Sequence, residues 1–280
     1  MKSAIFFNLL LFLTVMVPHG VKAQNGGTNS SGQKNPVEIT ADNTLEWDRE
    51  KRQYTAEGNV KVVQGESEIS ADKVIASYRE NEEGDTQIMQ LTAIGNVVIT
   101  HTDNKAVGQK ATYLLDEGKA VLIGDNLELS SPEHTVTAKE SFTYWIEQGR
   151  LKAEGNVLVN ADQNSIEAQE IEAFFEADDK GRRTLKRAEA KGNVVIITLK
   201  EMITGSEGFY DARKNTAELK GDVRIKRGQN FLTGSKASVD LKTNISKLYG
   251  GKGENNRVKG IFYPGSDGFK NITDNAGTNQ

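Results

Sequence analysis

The sequence predicts an all-β fold made of stacked copies of one unit, and three observations carry that prediction. A Gly-Asn or Gly-Asp pair leading into an alternating apolar segment recurs along the chain, at Gly58-Asn59, Gly95-Asn96, Gly155-Asn156, Gly192-Asn193 and Gly221-Asp222, with a looser copy at Gly124-Asp125. Strand signals bounded by Gly, Asn and Asp come about every ten residues, the spacing of all-β folds. Helical periodicity is weak throughout; the one segment that imitates it, Ile166 to Phe175, has a strand as its repeat partner.

The copies have a period. The Gly markers at 58, 95, 124, 155, 192 and 221 are spaced 37, 29, 31, 37 and 29 residues apart, so the series restarts after 97. A shift of 97 lays Ile39-Thr40-Ala41 on Val136-Thr137-Ala138 and Ala56-Glu57-Gly58-Asn59-Val60 on Ala153-Glu154-Gly155-Asn156-Val157. It also lays Gly84 on Gly181 and Gly108 on Gly205, and a further shift of 96 reaches Leu232-Thr233-Gly234. This is a tandem duplication with a partial third copy, the signature of a stack whose units touch only their neighbours. Each Gly-Asn pair reads as a turn followed by a short strand. Between these lie strands entered through a small residue and then a polar one: Ala71-Asp72-Lys73, Gly108-Gln109-Lys110 and Gly234-Ser235-Lys236. A small residue there marks a bend or bulge where the sheet turns a corner.

The two ends differ from the body. Residues 1–23 read as a signal peptide: Lys2, an apolar run from Ile5 to Val17, and a small-x-small site at Val21-Lys22-Ala23. Residues 24–36 read as a flexible linker, 37–263 as the folded body and 264–280 as a disordered tail. An exported chain is the expectation, and no later run reaches the ~18 apolar residues of a membrane helix.

Composition excludes several function classes. Without Lys2 and Lys22 the 35 basic residues become 33 against 39 acidic, a net charge of −6, a poor match to nucleic acid or an anionic membrane. There is no cysteine, so stability rests on burial and backbone pairing rather than disulfides. Outside the signal segment only His101 and His134 remain, which starves metal and triad chemistry of its usual ligand or base. No catalytic residue, metal site or cofactor is expected. Asp85, Glu117 and Asp211 sit in or beside turns, where acidic side chains serve the backbone. Arg182-Arg183 with Lys186-Arg187, and Arg224, Lys226 and Arg227, read as solvated basic clusters whose other possible use is to meet phosphates.

The apolar inner face is the stronger signal. Strand parity puts Val60, Val62, Val97, Ile99, Val157, Val159, Val194, Ile196, Val223 and Ile225 on one side. The corner-entered strands add Val74, Ala76, Tyr78, Tyr113, Phe142, Tyr144, Ile171, Phe175, Tyr210, Val239 and Leu241. These either fill a sandwich core ~10 Å thick or line an apolar groove in which each buried acyl methylene is worth ~0.8 kcal/mol.

The repeated Gly-Asn-Val strands, together with Ile39-Thr40-Ala41-Asp42 and Ile69-Ser70-Ala71-Asp72-Lys73-Val74, resemble a known family. So do Gln229-Asn230-Phe231-Leu232-Thr233-Gly234, Asp240-Leu241-Lys242-Thr243 and Arg257-Val258-Lys259-Gly260-Ile261-Phe262 near the end. The chain is similar, over about 37–263, to the LptA/OstA-type lipopolysaccharide-transport proteins of the Gram-negative periplasm. The resemblance implies an OstA-like β-jellyroll of stacked antiparallel strands, open at both ends. It also implies an interior that receives lipopolysaccharide acyl chains, and head-to-tail assembly with related jellyrolls into a bridge from inner to outer membrane. The expected partners are therefore lipopolysaccharide and the periplasmic and membrane components of that bridge. The edge strands, Val37 to Trp47 and Val258 to Tyr263, have no sequence partner beyond them. Two other readings compete. One is a repeat-built carbohydrate-active enzyme or binding domain. The other is an outer-membrane barrel, which the apparent shortness of the strands and their charged outer faces disfavour.

Overall fold

The computed structural model describes residues 36–80, 86–177, 183–243, 245–251 and 257–263. The expected signal peptide, the tail, all of the linker but Pro36, and Gly84, Asp85, Gly181 and Arg182 lie outside these residues. Among them every regular element is a strand, and 18 strands form one antiparallel sheet.

The chain crosses this sheet in fourteen passes. Ten are single long strands: β3 (Gln53–Gln64), β4 (Ser67–Glu80), β5 (Thr86–His101), β6 (Asn104–Leu114), β11 (Arg150–Ala161), β12 (Asn164–Ala177), β13 (Arg183–Ile197), β14 (Met202–Asp211), β15 (Thr216–Arg227) and β16 (Asn230–Asp240). The other four are each broken in two: β1 (Glu38–Thr40) with β2 (Thr44–Asp48), β7 (Lys119–Ile123) with β8 (Leu127–Ser130), β9 (His134–Ala138) with β10 (Ser141–Trp145), and β17 (Ile245–Tyr249) with β18 (Lys259–Ile261). The two halves of a broken pass pair with the two halves of one long neighbour; β2 and β1, for example, both pair with β3. Segment 166–175, helix-like in period, lies within the strand β12.

Each pass is folded at its middle, so the sheet has two arms that face each other across an apolar interior. The fold line is where the Gly-Asn pairs lie, and here the sequence reading needs correction: the pairs are not turns between short strands. The looser copy, Gly124-Asp125, does lie between two short strands, but the other five pairs sit inside strands of 12 to 16 residues, β3, β5, β11, β13 and β15. Both residues of each of these five take positive φ, as at Gly58 (86°) and Asn59 (41°). In β3 the pairing jumps from Glu57–Lys73 to Val60–Ala71, so Gly58 and Asn59 together oppose Asp72 alone. That is a bulge, which bends the strand and increases its twist. Gly, and after it Asn and Asp, adopt this left-handed conformation at the lowest cost, so the hairpin signal and the bulge signal are the same residues.

The small-polar segments are the other half of the corner, as expected. Asp72 lies between two bulges and accepts a hydrogen bond from Asn96 Nδ2 at 3.0 Å. Asn59 Nδ2 donates to Asp42 at 2.7 Å, and Gln169 Nε2 donates to Asn156 at 2.8 Å. The small residue before the polar one faces a fully buried neighbour: Val60 opposes Ala71, Val97 opposes Gly108, Val157 opposes Ala168 and Val194 opposes Gly205. A Cβ built on Gly108 would stand 2.7 Å from Leu122 and 3.0 Å from Leu127. Here glycine is needed for space, not for conformation.

The repeat is close in the fold. Strands β3 and β4 recur 97 residues later as β11 and β12 with identical lengths, and β1, β2 and β5 recur as β9, β10 and β13. Within the chain the second copy joins the first through β8–β9 and β7–β10.

Candidate apolar interior

Following the cross-strand partners from one edge of the sheet to the other yields apolar rows that run through all fourteen passes. On the arm holding β1, the row reads Ile39, Val62, Ile69, Ile99, Ala106, Leu129, Val136, Val159, Ile166, Ile196, Ile203, Ile225, Leu232 and Gly260. On the arm holding β2, the row nearer the corner reads Leu45, Ala56, Val74, Ala93, Ala111, Leu122, Phe142, Ala153, Ile171, Ala190, Gly208, Leu219, Ala237 and Leu248. A second row on that arm carries the aromatic side chains: Trp47 and Tyr54 open it, Tyr113, Tyr144 and Tyr210 lie along it, and Val239 and Ser246 end it. One arm is thus a wall of branched aliphatic residues, and the other alternates small residues with aromatic ones.

Most of the residues expected from sequence lie in these rows or beside the corner. Val60, Val62, Val74, Ala76, Tyr78, Val97, Phe142, Tyr144, Val157, Val159, Phe175, Val194, Tyr210, Val223 and Ile225 are buried. Ile99, Tyr113, Ile171, Ile196 and Val239 are half-buried in the same faces. Leu241 stands apart: β16 ends at Asp240, and Leu241 lies in the following turn, its N–H donating to Asn215 O at 2.9 Å. Sequence parity carried the strand one residue too far because Asp240, whose carboxylate accepts from the N–H groups of Lys242 and Thr243, stops it. Leu127 and Leu129, whose alternation around Glu128 also marks a buried face, are buried too, and the reading missed Val136, Ile146 and Leu151, all buried. The 97-residue shift, applied to Tyr54 and Val62, would have pointed to Leu151 as well as Val159.

The interior is mostly filled. One packed cluster runs from Ala56 to Phe175 and a smaller one from Ala168 to Ala237. In the first, a cavity of about 90 Å³ remains between the arms, lined by Ile69, Leu91, Ile99, Tyr113, Leu122, Phe142 and Tyr144 among others. That is smaller than the ~150 Å³ void that takes up a benzene. The polar groups in the interior are few and adjusted to it. Burial pushes the Tyr113, Tyr144 and Tyr210 hydroxyls above the ordinary tyrosine range, so they stay neutral. The Tyr210 hydroxyl donates to Asn215 Oδ1 at 3.2 Å, and Tyr78 accepts from Trp47 Nε1 at 2.8 Å. His101 Nδ1 lies 3.2 Å from Ser67 Oγ at the cavity edge. His134 Nδ1 is buried with no hydrogen-bond partner among the described residues, and burial lowers its pKa against the opposing influence of Glu133.

The outer faces are charged. Lys73 reaches Glu57 at 2.6 Å, Lys152 reaches Glu154 at 2.6 Å and Glu170 at 3.0 Å, and Lys236 reaches Glu218 at 2.9 Å. Arg187 and Arg183 are both engaged: Arg187 packs over Phe174 and pairs with Glu189, and Arg183 donates to Ile146 O. The case against a membrane barrel rested partly on short strands, and that argument is removed, since the long strands reach or exceed the ~9–11 residues needed. The pairing decides instead: among the described residues β1 and β2 pair only with β3, and β17 and β18 only with β16, so the sheet stays open where a barrel must close.

A folded, open-ended antiparallel sheet with an unbroken apolar interior and charged outer faces defines a class: an open-ended β-jellyroll. The chain belongs to the family described as LptA/(LptD N-terminal domain) LPS transport protein, which it matches twice, over residues 38–149 and 135–245. The two matches overlap on β9 and β10, the strands that begin the second copy. Among solved structures it is similar to LptH of Pseudomonas aeruginosa, described as the LptA homologous periplasmic component of the conserved lipopolysaccharide transport device. The identity is 20% with a TM-score of 0.36, over 43% of this chain and 83% of that one. None of the curated proteins compared with the chain matches it.

Proposed function

We propose that this protein carries lipopolysaccharide through the periplasm from the inner to the outer membrane, its acyl chains held between the two arms. The observation that carries the reading is the continuity of the apolar rows over all fourteen passes. A globular core needs no such rail, whereas a ligand handed along the stack does. Residues 1–23 direct export and are removed, 24–36 link, 37–263 form the jellyroll, and 264–280 are a tail. The site residues are those named from the sequence, apart from Leu241, with no cofactor and no catalytic group.

The cavity is too small for an acyl chain, so loading requires the arms to part. The corner is the place for this, since each bulge interrupts the backbone ladder there, and the closed interior is held by non-directional apolar contact. Each acyl methylene that takes the place of such contact contributes ~0.8 kcal/mol. The unpaired edges suit end-to-end strand addition, with further copies or with related jellyrolls at each membrane. Photo-crosslinkers at Val62, Tyr113 and Phe142 are expected to trap lipopolysaccharide. Capture only at the outward Lys61 and Glu128 would overturn the reading.

A further inference from the structure

Resting on that end-to-end reading, we infer the register of the junction: β2 of one copy pairs antiparallel with β17 of the next with Glu46 opposite Lys247, while β1 pairs with β18 with Ile39 opposite Gly260. Three observations set it.

The first is parity. Successive passes alternate in direction, and along any row the cross-strand pairs alternate between hydrogen-bonded and non-hydrogen-bonded types. Fourteen is even, so the last pass runs antiparallel to the first pass of an incoming copy. The thirteen pairings along a row begin and end with the same type, and a fourteenth of the other type satisfies both edges at once. An odd number of passes would have brought parallel edges together.

The second is the rows themselves. Leu45 and Leu248 end the same row, as do Trp47 and Ser246, and as do Ile39 and Gly260 on the other arm. Joining each row to itself sets one register per arm. It places large against small at two of the three positions, Trp47 on Ser246 and Ile39 on Gly260, the alternation the rows already show inside the chain. It also covers Leu45 and Trp47, which are 62% and 50% exposed.

The third is charge, which played no part in choosing the register. Between Leu45 and Trp47 stands Glu46, and between Leu248 and Ser246 stands Lys247; both are exposed on the outer face and neither is in an ion pair within the described residues. The apolar register brings these two opposite charges face to face.

The chain has no cysteine, so the test is clean on the full mature protein. Glu46→Cys in one population and Lys247→Cys in another are mixed and oxidised, with Thr44→Cys against Lys247→Cys as the control two residues out of register. The expected result is a crosslinked dimer from the first mixture in large excess over the second. Independently, Glu46→Lys and Lys247→Glu each weaken self-association roughly three- to tenfold in light scattering, and the double variant in one chain restores it. Assemblies that crosslink through 44–247 instead, with no rescue in the double variant, would overturn the register and leave the end-to-end reading intact. A strict monomer at high concentration with both edges folded would overturn both.

Discussion

The first two thirds and the last third of the jellyroll share one fold and differ in what fills it. Equivalent passes show this most directly. Where the central pass places Phe142 and Tyr144 in the two rows of one arm, the equivalent pass near the end places Ala237 and Val239. Ala93 is fully buried, and its counterpart 97 residues on, Ala190, is half-exposed beside Gly208. On the facing arm Ile196, Ile203 and Leu232 are only partly covered. A duplicated unit has thus kept its corners, which fix the shape, and varied its fillers, which fix the space. The N-terminal and central part is a packed core with a small void; in the C-terminal part Ala190, Gly208 and Ala237 alternate with Leu219 and Leu248 and face Ile196, Ile203, Ile225 and Leu232. On the proposed function, the C-terminal part is where the arms would part with the least loss of contact.

The largest effect that would break this comparison comes from deleting a filler. Phe142→Ala is expected to cost ~3–5 kcal/mol in urea unfolding, against less than about 1.5 kcal/mol for Val239→Ala; similar losses at both sites would abolish the distinction. Overpacking tests the same contrast from the other side. Ala93→Leu should cost ~1–3 kcal/mol, and Ala190→Leu, with glycine beside it, less than about 1 kcal/mol while reducing lipopolysaccharide capture. The corners should be equally intolerant in both regions. Gly155, at φ 88°, would place a Cβ 2.8 Å from the Glu140 backbone nitrogen, so Gly155→Ala should cost on the order of 1–3 kcal/mol. Gly228 at φ 57° has open space around it, and Gly228→Asn should leave the midpoint nearly unchanged.

The smallest effect concerns the seam between copies. His134 has its pKa lowered by burial, so the folded state holds it neutral while the unfolded chain protonates it near its ordinary value of 6.5. Its contribution is constant above that value and is lost as pH falls from there through the folded pKa. The melting temperature of the wild-type chain should therefore drop more between pH 7 and pH 5 than that of His134→Gln. Parallel pH profiles would mean that the seam does not bury the imidazole.

Much of this architecture was legible in the sequence. The 97-residue period, the inward valines and the small residue at each corner appear in the fold as expected, because alternation and repetition are local properties that packing had no reason to override. The nature of the Gly-Asn pairs was not legible. A reversal and a mid-strand bulge both call for consecutive left-handed residues, and only the neighbouring strand, with Asp72 accepting from Asn96, distinguishes them. Strand length was misjudged for the same reason, each corner being taken as an end. Ile146 and Leu151 escaped notice because their importance lies in the partners across the interior, which parity along a single strand does not name.

The central claim is that the space between the arms receives the acyl chains. Spin labels at Ile203 and at its outward neighbour Thr204 on β14 test it most directly, since the two sites differ by one residue and by the side of the sheet. Addition of lipopolysaccharide should immobilise the label at 203 and shield it from aqueous relaxants, leaving the label at 204 unchanged. An equal response at both positions, or a response at 204 alone, would contradict the account.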